Sequence, residues 1–254
     1  MSALRARCPH CRTLTAVAFD DEYECHSCGA SFAAGLVRVP RAWGSGGESM
    51  AEAAGTPLPY PEALVVEEET LEEQSAAIAE GLPRRPFVLG GCCCAHVGAI
   101  RGLAARHGRL AVVWLDAHGD LNTPETSPSG NEWGMPLRMA IDDGIVRPDD
   151  VALVGARDLD EPEAEFAAAH GIDDDVERAL DGVAAVYVAL DVDVLQPGLV
   201  PCFFPVPGGP SVADVESVLR SIAGRLPVAG LGITGLAPAA DPEMLVRFAV
   251  AAGL

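Results

Sequence analysis

Two short runs of acidic and imidazole side chains stand at the ends of apolar segments. Asp116-Ala117-His118-Gly119-Asp120 follows LAVVWL, and Asp191-Val192-Asp193 follows VYVAL. Carboxylates and a histidine converging from two such ends suit a pair of divalent cations that activate water for hydrolysis. While the chain stays extended, alternation puts Asp191 and Asp193 on one side, and likewise Asp116, His118 and Asp120. So many charges beside apolar segments need compensation.

A third run, Cys92-Cys93-Cys94, precedes a helical segment. Three readings of it are open. A thiol near a helix N-terminus, assisted by His96 or His118, can become a nucleophile toward an amidine or acyl carbon. Cys93 can instead ligate a metal, or the thiols can simply fill small buried volumes. Nearer the N-terminus, Cys8-x2-Cys11 and Cys25-x2-Cys28 form two knuckles, with Gly29 suited to the tight turn after the second. Four thiolates at this spacing suit one structural zinc ion in tetrahedral coordination. Tyr23 and Phe32 flank the knuckles as a miniature core. So small a module buries too little to hold itself together, and the metal would supply its stability.

The elements that must position these groups alternate in type. PFVLGG, LAVVWL, DVALVG, AAVYVALDVDVL and PVAGLGITGL read as strands. HVGAIRGLAARHG, EPEAEFAAAHG, SVADVESVLRSIAGR and DPEMLVRFAVAAG read as helices between and after them. Apolar strands alternating with helices imply an α/β fold, a three-layer, mostly parallel sheet covered on both faces, with ligands at the carboxyl ends of the strands. The expected division is a zinc ribbon over 1–40, a Gly/Ser/Ala/Pro-rich linker over 41–61 and an α/β domain over 62–254. That domain opens on an acidic helix over 62–81. His107 and His170 fall at surface-like helix ends and take no role.

Composition narrows the partners. The formal charge is −20, and all 17 basic residues are arginine, so a phosphate backbone would repel the chain and nucleic-acid binding is disfavoured. With 49% hydrophobic residues the chain can bury a full core. No run of about 18 apolar residues predicts a membrane span. The N-terminus shows no apolar signal core, and eight cysteines without one point to a reducing, cytoplasmic setting.

The run DAHGDLNTPETSPSGNEWGMP at 116–136 resembles the arginase (ureohydrolase) signature DAHxDxNTPxxxxSGNxHGxP. VALDVDVLQP resembles the family's SFDxDxxDP, PVPGG its following turn, and the Gly90-Gly91 segment its GGDHS. GARDLD at 155–160 matches a loop whose Asp holds a substrate α-amino group. The resemblance covers roughly residues 85–240. It implies the arginase-type α/β fold and two Mn²⁺ bridged by hydroxide, which attacks a guanidinium or related amidine carbon. It also implies oligomers such as trimers or hexamers. Carried over residue by residue, it assigns metal binding to Cys93, Asp116, His118, Asp120, Asp191 and Asp193, with Cys93 where the family has a histidine. Because thiolate is a soft ligand, Zn²⁺ or Fe²⁺ competes with Mn²⁺ there. If Cys93 does not bind, the metal could shift to His96. Asn122, Ser127, Ser129 and Asn131 match the residues that hold the substrate α-carboxylate, and Asp160 the α-amino group. Asp120, His118 and Cys93 are the candidates for the chemistry.

Other positions depart from the pattern. The proton-shuttling histidine is Trp133, and indole moves no proton near neutral pH. The glutamate that pairs with a guanidinium is Gly235, and the Gly-Thr before PVPGG is Cys202-Phe203-Phe204. The amino-acid end of the pocket is thus kept and the guanidinium end rebuilt. Three readings follow. The first is a metal-dependent hydrolase of a C–N bond in a guanidino, amidino or ureido amino-acid derivative. The second is a non-catalytic protein that binds an amino acid or a protein partner. The third is a rewired, cysteine-dependent enzyme. The arginase-like part is also short at its start, so the first edge strands are expected to be missing, with ribbon and linker covering the exposed sheet edge. The ribbon itself is expected to serve as a folding or docking module, with a protein partner or a second copy of the chain as what it could dock.

Overall fold

The computed structural model describes residues 5, 6, 8, 10–19, 22–32 and 34–254. The expected α/β fold is present. Largely apolar runs form the buried strands β7 (Arg85–Gly90), β8 (Leu110–Leu115), β9 (Val151–Val154), β10 (Ala185–Asp191) and β11 (Val228–Thr234). They join β5 (Ala34–Val39) and β6 (Glu62–Val65) in a seven-stranded sheet of order β6-β5-β7-β11-β10-β8-β9, parallel throughout. Successive residues of each strand face opposite layers. Phe87, Leu89, Val186, Val188 and Leu190 pack toward helices α7 (Val212–Arg225) and α8 (Pro242–Ala251). Val88, Tyr187 and Ala189 pack toward α2 (Leu71–Gly81), α3 (Ala95–His107) and α4 (Pro136–Asp142). Ser211 caps α7 in a reciprocal box with Asp214, and Gly171, in the left-handed region, ends α5 (Glu161–His170).

The N-terminal third differs from the sequence expectation in three places. Residues 62–65 form an edge strand, not the start of a helix; this mostly exposed strand runs straight into the acids at 67–69, and the helix begins only at Leu71, capped by Thr70. The stretch read as a linker contains α1 (Glu48–Ala53), with Met50, Ala53 and Ala54 buried. Residues 34–39, counted with the ribbon, pair with β7 over their whole length. The edge expected to be missing is therefore occupied by β5 and β6, so removal of residues 1–55 would strip an interior strand rather than a cover. The short helix α6 (Val176–Ala179) completes the helices of the described residues. No helix among those residues is long and apolar enough to cross a membrane.

The cysteine-rich segment forms its own four-stranded antiparallel sheet from β1 (Arg5–Ala6), β2 (Ala16–Phe19), β3 (Glu22–Cys25) and β4 (Ser31–Phe32). Phe32 stacks on Tyr23 at 5.4 Å and meets Tyr60 edge-on, and Tyr60 meets Phe87 of β7. An Arg12–Glu243 ion pair of 2.6 Å joins this sheet to α8.

Candidate metal centre

The carboxyl ends of β7, β8, β10 and β11 converge on one cavity of about 230 Å³. Convergence does not come from strand alternation, as the sequence suggested. Strand β8 stops at Leu115, and Asp116–Asp120 turn away, with Asp120 at φ +52°. Strand β10 stops at Asp191, and a 3₁₀ turn over Val192–Val194 carries Asp193. Each turn is braced by its own carboxylate: Asp116 Oδ1 accepts from the His118 N–H (2.8 Å), and Asp191 Oδ1 from the Asp193 N–H (3.0 Å). The turns are tied together by the Ala117 N–H, which donates to Asp193 Oδ1 at 3.0 Å.

The result is two overlapping trios of potential ligand atoms, each within 4.8 Å: Cys93, Asp116 and Asp120, and Asp116, His118 and Asp193. Asp116 belongs to both. Asp191 lies between them, its Oδ2 accepting from the Cys93 thiol at 3.0 Å and the Thr234 hydroxyl at 3.2 Å. All six residues line the cavity. His96 does not. It is fully buried behind Cys93, with Nδ1 2.8 Å from Tyr187 Oη and Nε2 3.1 Å from Thr234 Oγ1, so it offers no nitrogen to the cluster. Burial also holds it neutral, its pKa lowered to about 3.

The four carboxylates repel one another in a dry environment. Burial and the Asp193 charge raise Asp191 to about 7, and burial and the Asp116 charge raise Asp193 to about 6. Burial opposes the charge on His118, but hydrogen bonds and charges from Asp116 and Asp193 outweigh it and push the imidazole up to about 12. Asp120 is buried, and its Oδ2 has no hydrogen-bond partner. An orphaned carboxylate oxygen facing a hard or borderline donor set is the environment a divalent cation satisfies, so the residues fit a binuclear centre.

A pH effect follows for protein freed of core metal but supplied with one equivalent of zinc for the four-cysteine cluster. Asp191 and Asp193 have raised folded pKa values, so their contribution to stability is full below about pH 4 and is lost as pH rises through 6–7. The His118 contribution is full below about 6.5 and declines above it, in the same direction. Between pH 5 and 8 the unfolding free energy should fall by about 2–4 kcal/mol. Thermal melts across that range check it; a flat or rising Tm would show that the carboxylates are not crowded.

At the other end of the cavity, Asn122 donates to Asp160 Oδ2 (2.8 Å) and accepts from the Thr126 hydroxyl (2.8 Å). Ser127 and Ser129 line the same wall. Asn131 does not line the cavity: its Oδ1 accepts from the Ser45 N–H at 2.9 Å and pins the 41–47 segment, a correction to its expected substrate role. Two lining carboxylates escaped the sequence reading, Asp158 and Glu163. Glu163 is buried, accepts from the Leu121 and Asp160 N–H groups and reciprocates the Asp160 helix cap. An acid three residues after a capping aspartate was the available signal. Seven carboxylates therefore line the cavity, with His118 the one basic side chain among the described residues.

The third wall is apolar. Trp133 meets Phe203 edge-on at 5.9 Å and Phe204 at 6.2 Å, packs on the turn at Gly44 and Gly47, and faces Met50 of α1. Cys92 and Cys94 are buried in this cluster. Cys92 lines the cavity and accepts from the Trp43 N–H at 3.4 Å. Arg157, also overlooked, fastens the loop beneath, donating to the carbonyls of Gly155, Asp193, Val194, Val206 and Pro207. Arg157→Met should strand these five carbonyls. The expected loss is about 2–4 kcal/mol, read by urea denaturation; a loss under 0.5 kcal/mol would show the clamp to be idle.

In the four-cysteine cluster, Sγ atoms of Cys8 and Cys28 are 3.7 Å apart and those of Cys11 and Cys25 3.5 Å. Tetrahedral zinc with ~2.3 Å bonds sets sulfurs ~3.8 Å apart, whereas a disulfide needs ~2.05 Å. The spacing fits the metal, and all eight cysteines are free.

The model of the arginase family matches residues 48–253. An arginase of Staphylococcus aureus is 36% identical, over 54% of this chain and 54% of that protein. The chain thus spans about half the length of such curated relatives. An N(omega)-hydroxy-L-arginine amidinohydrolase of Streptomyces lavendulae is 31% identical over 74% of this chain and 77% of its own. Among solved structures, arginase from Bacillus caldovelox superposes with a TM-score of 0.71 at 23% identity, covering 86% of this chain and 97% of that one, a likeness of fold.

Proposed function

Because the chain belongs to the arginase family, we propose that it is a metal-dependent hydrolase of a C–N bond in a guanidino, amidino or ureido amino-acid derivative. The observation that carries the reading is the pair of ligand trios sharing Asp116, with the unpartnered Asp120 Oδ2 beside them. Cys93, Asp116, Asp120 and Asp191 would hold one cation, and Asp116, His118, Asp191 and Asp193 the other. Cations held there supply Lewis acidity and an activated water, the chemistry of metal-assisted hydrolysis. Mn²⁺ is the ion that the family resemblance implies.

The protein's own groups divide the remaining work. Asp120 lines the cavity and its buried Oδ2 has no partner, so its carboxyl group suits taking a proton from the attacking water and returning it to the leaving nitrogen. Asp160 and Glu163 suit a substrate ammonium, while the Ser127 and Ser129 hydroxyls can donate to its carboxylate. Trp133, Phe203 and Phe204 keep bulk water from the reacting carbon. No carboxylate stands at Gly235 to pair with a guanidinium, so free arginine is a poor substrate and a neutral or substituted amidine a better one.

The test is elemental analysis of protein purified without chelators, followed by urea and ammonia assays over guanidino, amidino and ureido amino acids. Three metals per chain and turnover of one such compound are expected. A single zinc per chain and no turnover would instead favour an amino-acid-binding or regulatory protein, the reading that Trp133 and Gly235 support. Rapid urea release from free arginine would overturn the substrate assignment. A free cysteine nucleophile at Cys93 has less support: burial and the charges of Asp191, Asp120 and Asp116 hold its thiol well above the usual range.

A further inference from the structure

Cys93 sits in the turn between β7 and α3, buried, and lines the cavity. Its surroundings are arranged on two sides. Toward the cavity stand carboxylate oxygens: Asp191 Oδ2 at 3.0 Å, Asp116 Oδ2 at 3.7 Å and an oxygen of Asp120 within 4.8 Å. Behind it, Thr234 Oγ1 lies 3.2 Å from the sulfur. Thr234 is itself held by a buried chain. His96 Nδ1 is the one acceptor within reach of the buried Tyr187 hydroxyl among the described residues, so satisfying that hydroxyl assigns His96 the Nε2–H tautomer; Nε2–H then donates to Thr234 Oγ1 and leaves the Thr234 hydroxyl proton for Asp191 Oδ2 or the sulfur. The chain fits because residue 232 is glycine: a Cβ there would lie within 2.5 Å of the His96 ring and closer still to Tyr187 Oη. Sulfur is thus oriented from behind, and the imidazole that might have replaced it is locked away from the cluster.

We propose that the core centre is chemically unsymmetrical, with Cys93 binding one cation as a thiolate. That position then takes a thiophilic divalent ion of the zinc, cobalt or ferrous class, while the His118 position offers nitrogen and oxygen alone. The proposal rests on the binuclear reading above and specifies it. A thiolate is a soft ligand and manganese a hard ion, so the two positions differ in preference. A thiolate beside three carboxylates gathers negative charge that a coordinating cation compensates, and such a cation deprotonates the thiol outright. Formation of the Cys93–metal bond releases the thiol proton to solvent and needs no oxidant.

Cobalt(II) is the probe, added to the full-length chain. Sulfur-to-cobalt charge transfer gives an intense near-ultraviolet band for each thiolate bound. The four-cysteine cluster supplies four sulfurs and Cys93 one. Wild type should bind three cobalt ions. Cys93→His should also bind three yet lose about one-fifth of the band, one sulfur of five, and its zinc-over-manganese preference in the core should fall by about tenfold or more. Cys93→Ser should lose the same fraction, and a native circular-dichroism spectrum for either variant excludes misfolding as the cause. If Cys93→His binds three ions with the whole band intact, the thiolate proposal is overturned while the binuclear reading stands. If wild type takes up only the ion of the four-cysteine cluster, both are overturned.

Discussion

Asp116→Asn is expected to reduce the metal content from three ions per chain to one and to cut turnover on the order of 10³-fold or more. Asp116 is the residue common to both ligand trios. Both its oxygens are also used inside the fold, Oδ1 by the His118 N–H and Oδ2 by the Trp114 indole N–H at 3.2 Å. An asparagine keeps one acceptor, turns an N–H toward the cations and removes the shared charge. Stability should move the other way in metal-free protein. Deleting one of four crowded carboxylates relieves Asp191, Asp193 and Asp120, all held above their usual range, and a gain of about 1–2 kcal/mol is expected. Elemental analysis and metal-free melts read the two effects separately. A variant that keeps both core ions and works within tenfold of wild type would remove Asp116 from its shared position.

Gly235→Ala should be nearly as damaging, for a different reason. Gly235 follows β11 at φ +71°, and a Cβ there would fall on the Asp191 carboxylate, far inside van der Waals contact. Left-handed strain costs an alanine about 1 kcal/mol. The remainder comes from displacing Asp191, which holds the Asp193 N–H, the Cys93 thiol and the Thr234 hydroxyl together. A total loss of about 3–4 kcal/mol, with core metal affinity down at least tenfold, is expected. Gly144→Ala is the control, since its φ is +69° and nothing lies within 4 Å of the added carbon; it should cost the strain alone. Equal losses at the two positions would mean that crowding against Asp191 is unimportant. The same geometry shows why Gly235→Glu would not restore a guanidinium partner.

How much of this was legible depended on burial. Strands β7, β8, β10 and β11 are buried almost throughout and read as nearly unbroken apolar runs, and the helices after β10 and β11 carry side-chain caps at Ser211 and Asp241. Strand β6 was lost because an exposed edge keeps its charges: Glu62, with Val65 half exposed, merges with the acids that follow. Strand β5 was hidden by the cysteines just before it. Candidate metal ligands could be named because acids at the ends of apolar strands are conspicuous, but their approach was misread as strand alternation, since turn dihedrals such as that of Asp120 leave no mark in residue type. Asn131 and Ser45 lie 86 positions apart, and the bond that takes Asn131 out of the cavity is a tertiary event. The clamp made by Arg157 was equally invisible, because its five acceptors are backbone atoms, which every sequence has.

The junction of β4 and β5 has a consequence for how the chain is made and cut. Strand β4 ends at Phe32 and β5, bonded along β7, begins at Ala34. A single residue of sequence separates the two strands, too short a tether for a protease to sever, and digestion should not yield a core trimmed of residues 1–40. During synthesis the four clustered cysteines emerge before β5, and β5 must wait until residues 85–90 leave the ribosome before that partner exists. In that interval a metal-clamped knuckle would hold the upstream end of a strand that has nothing yet to pair with, shielding an apolar segment of the unfinished chain from its neighbours.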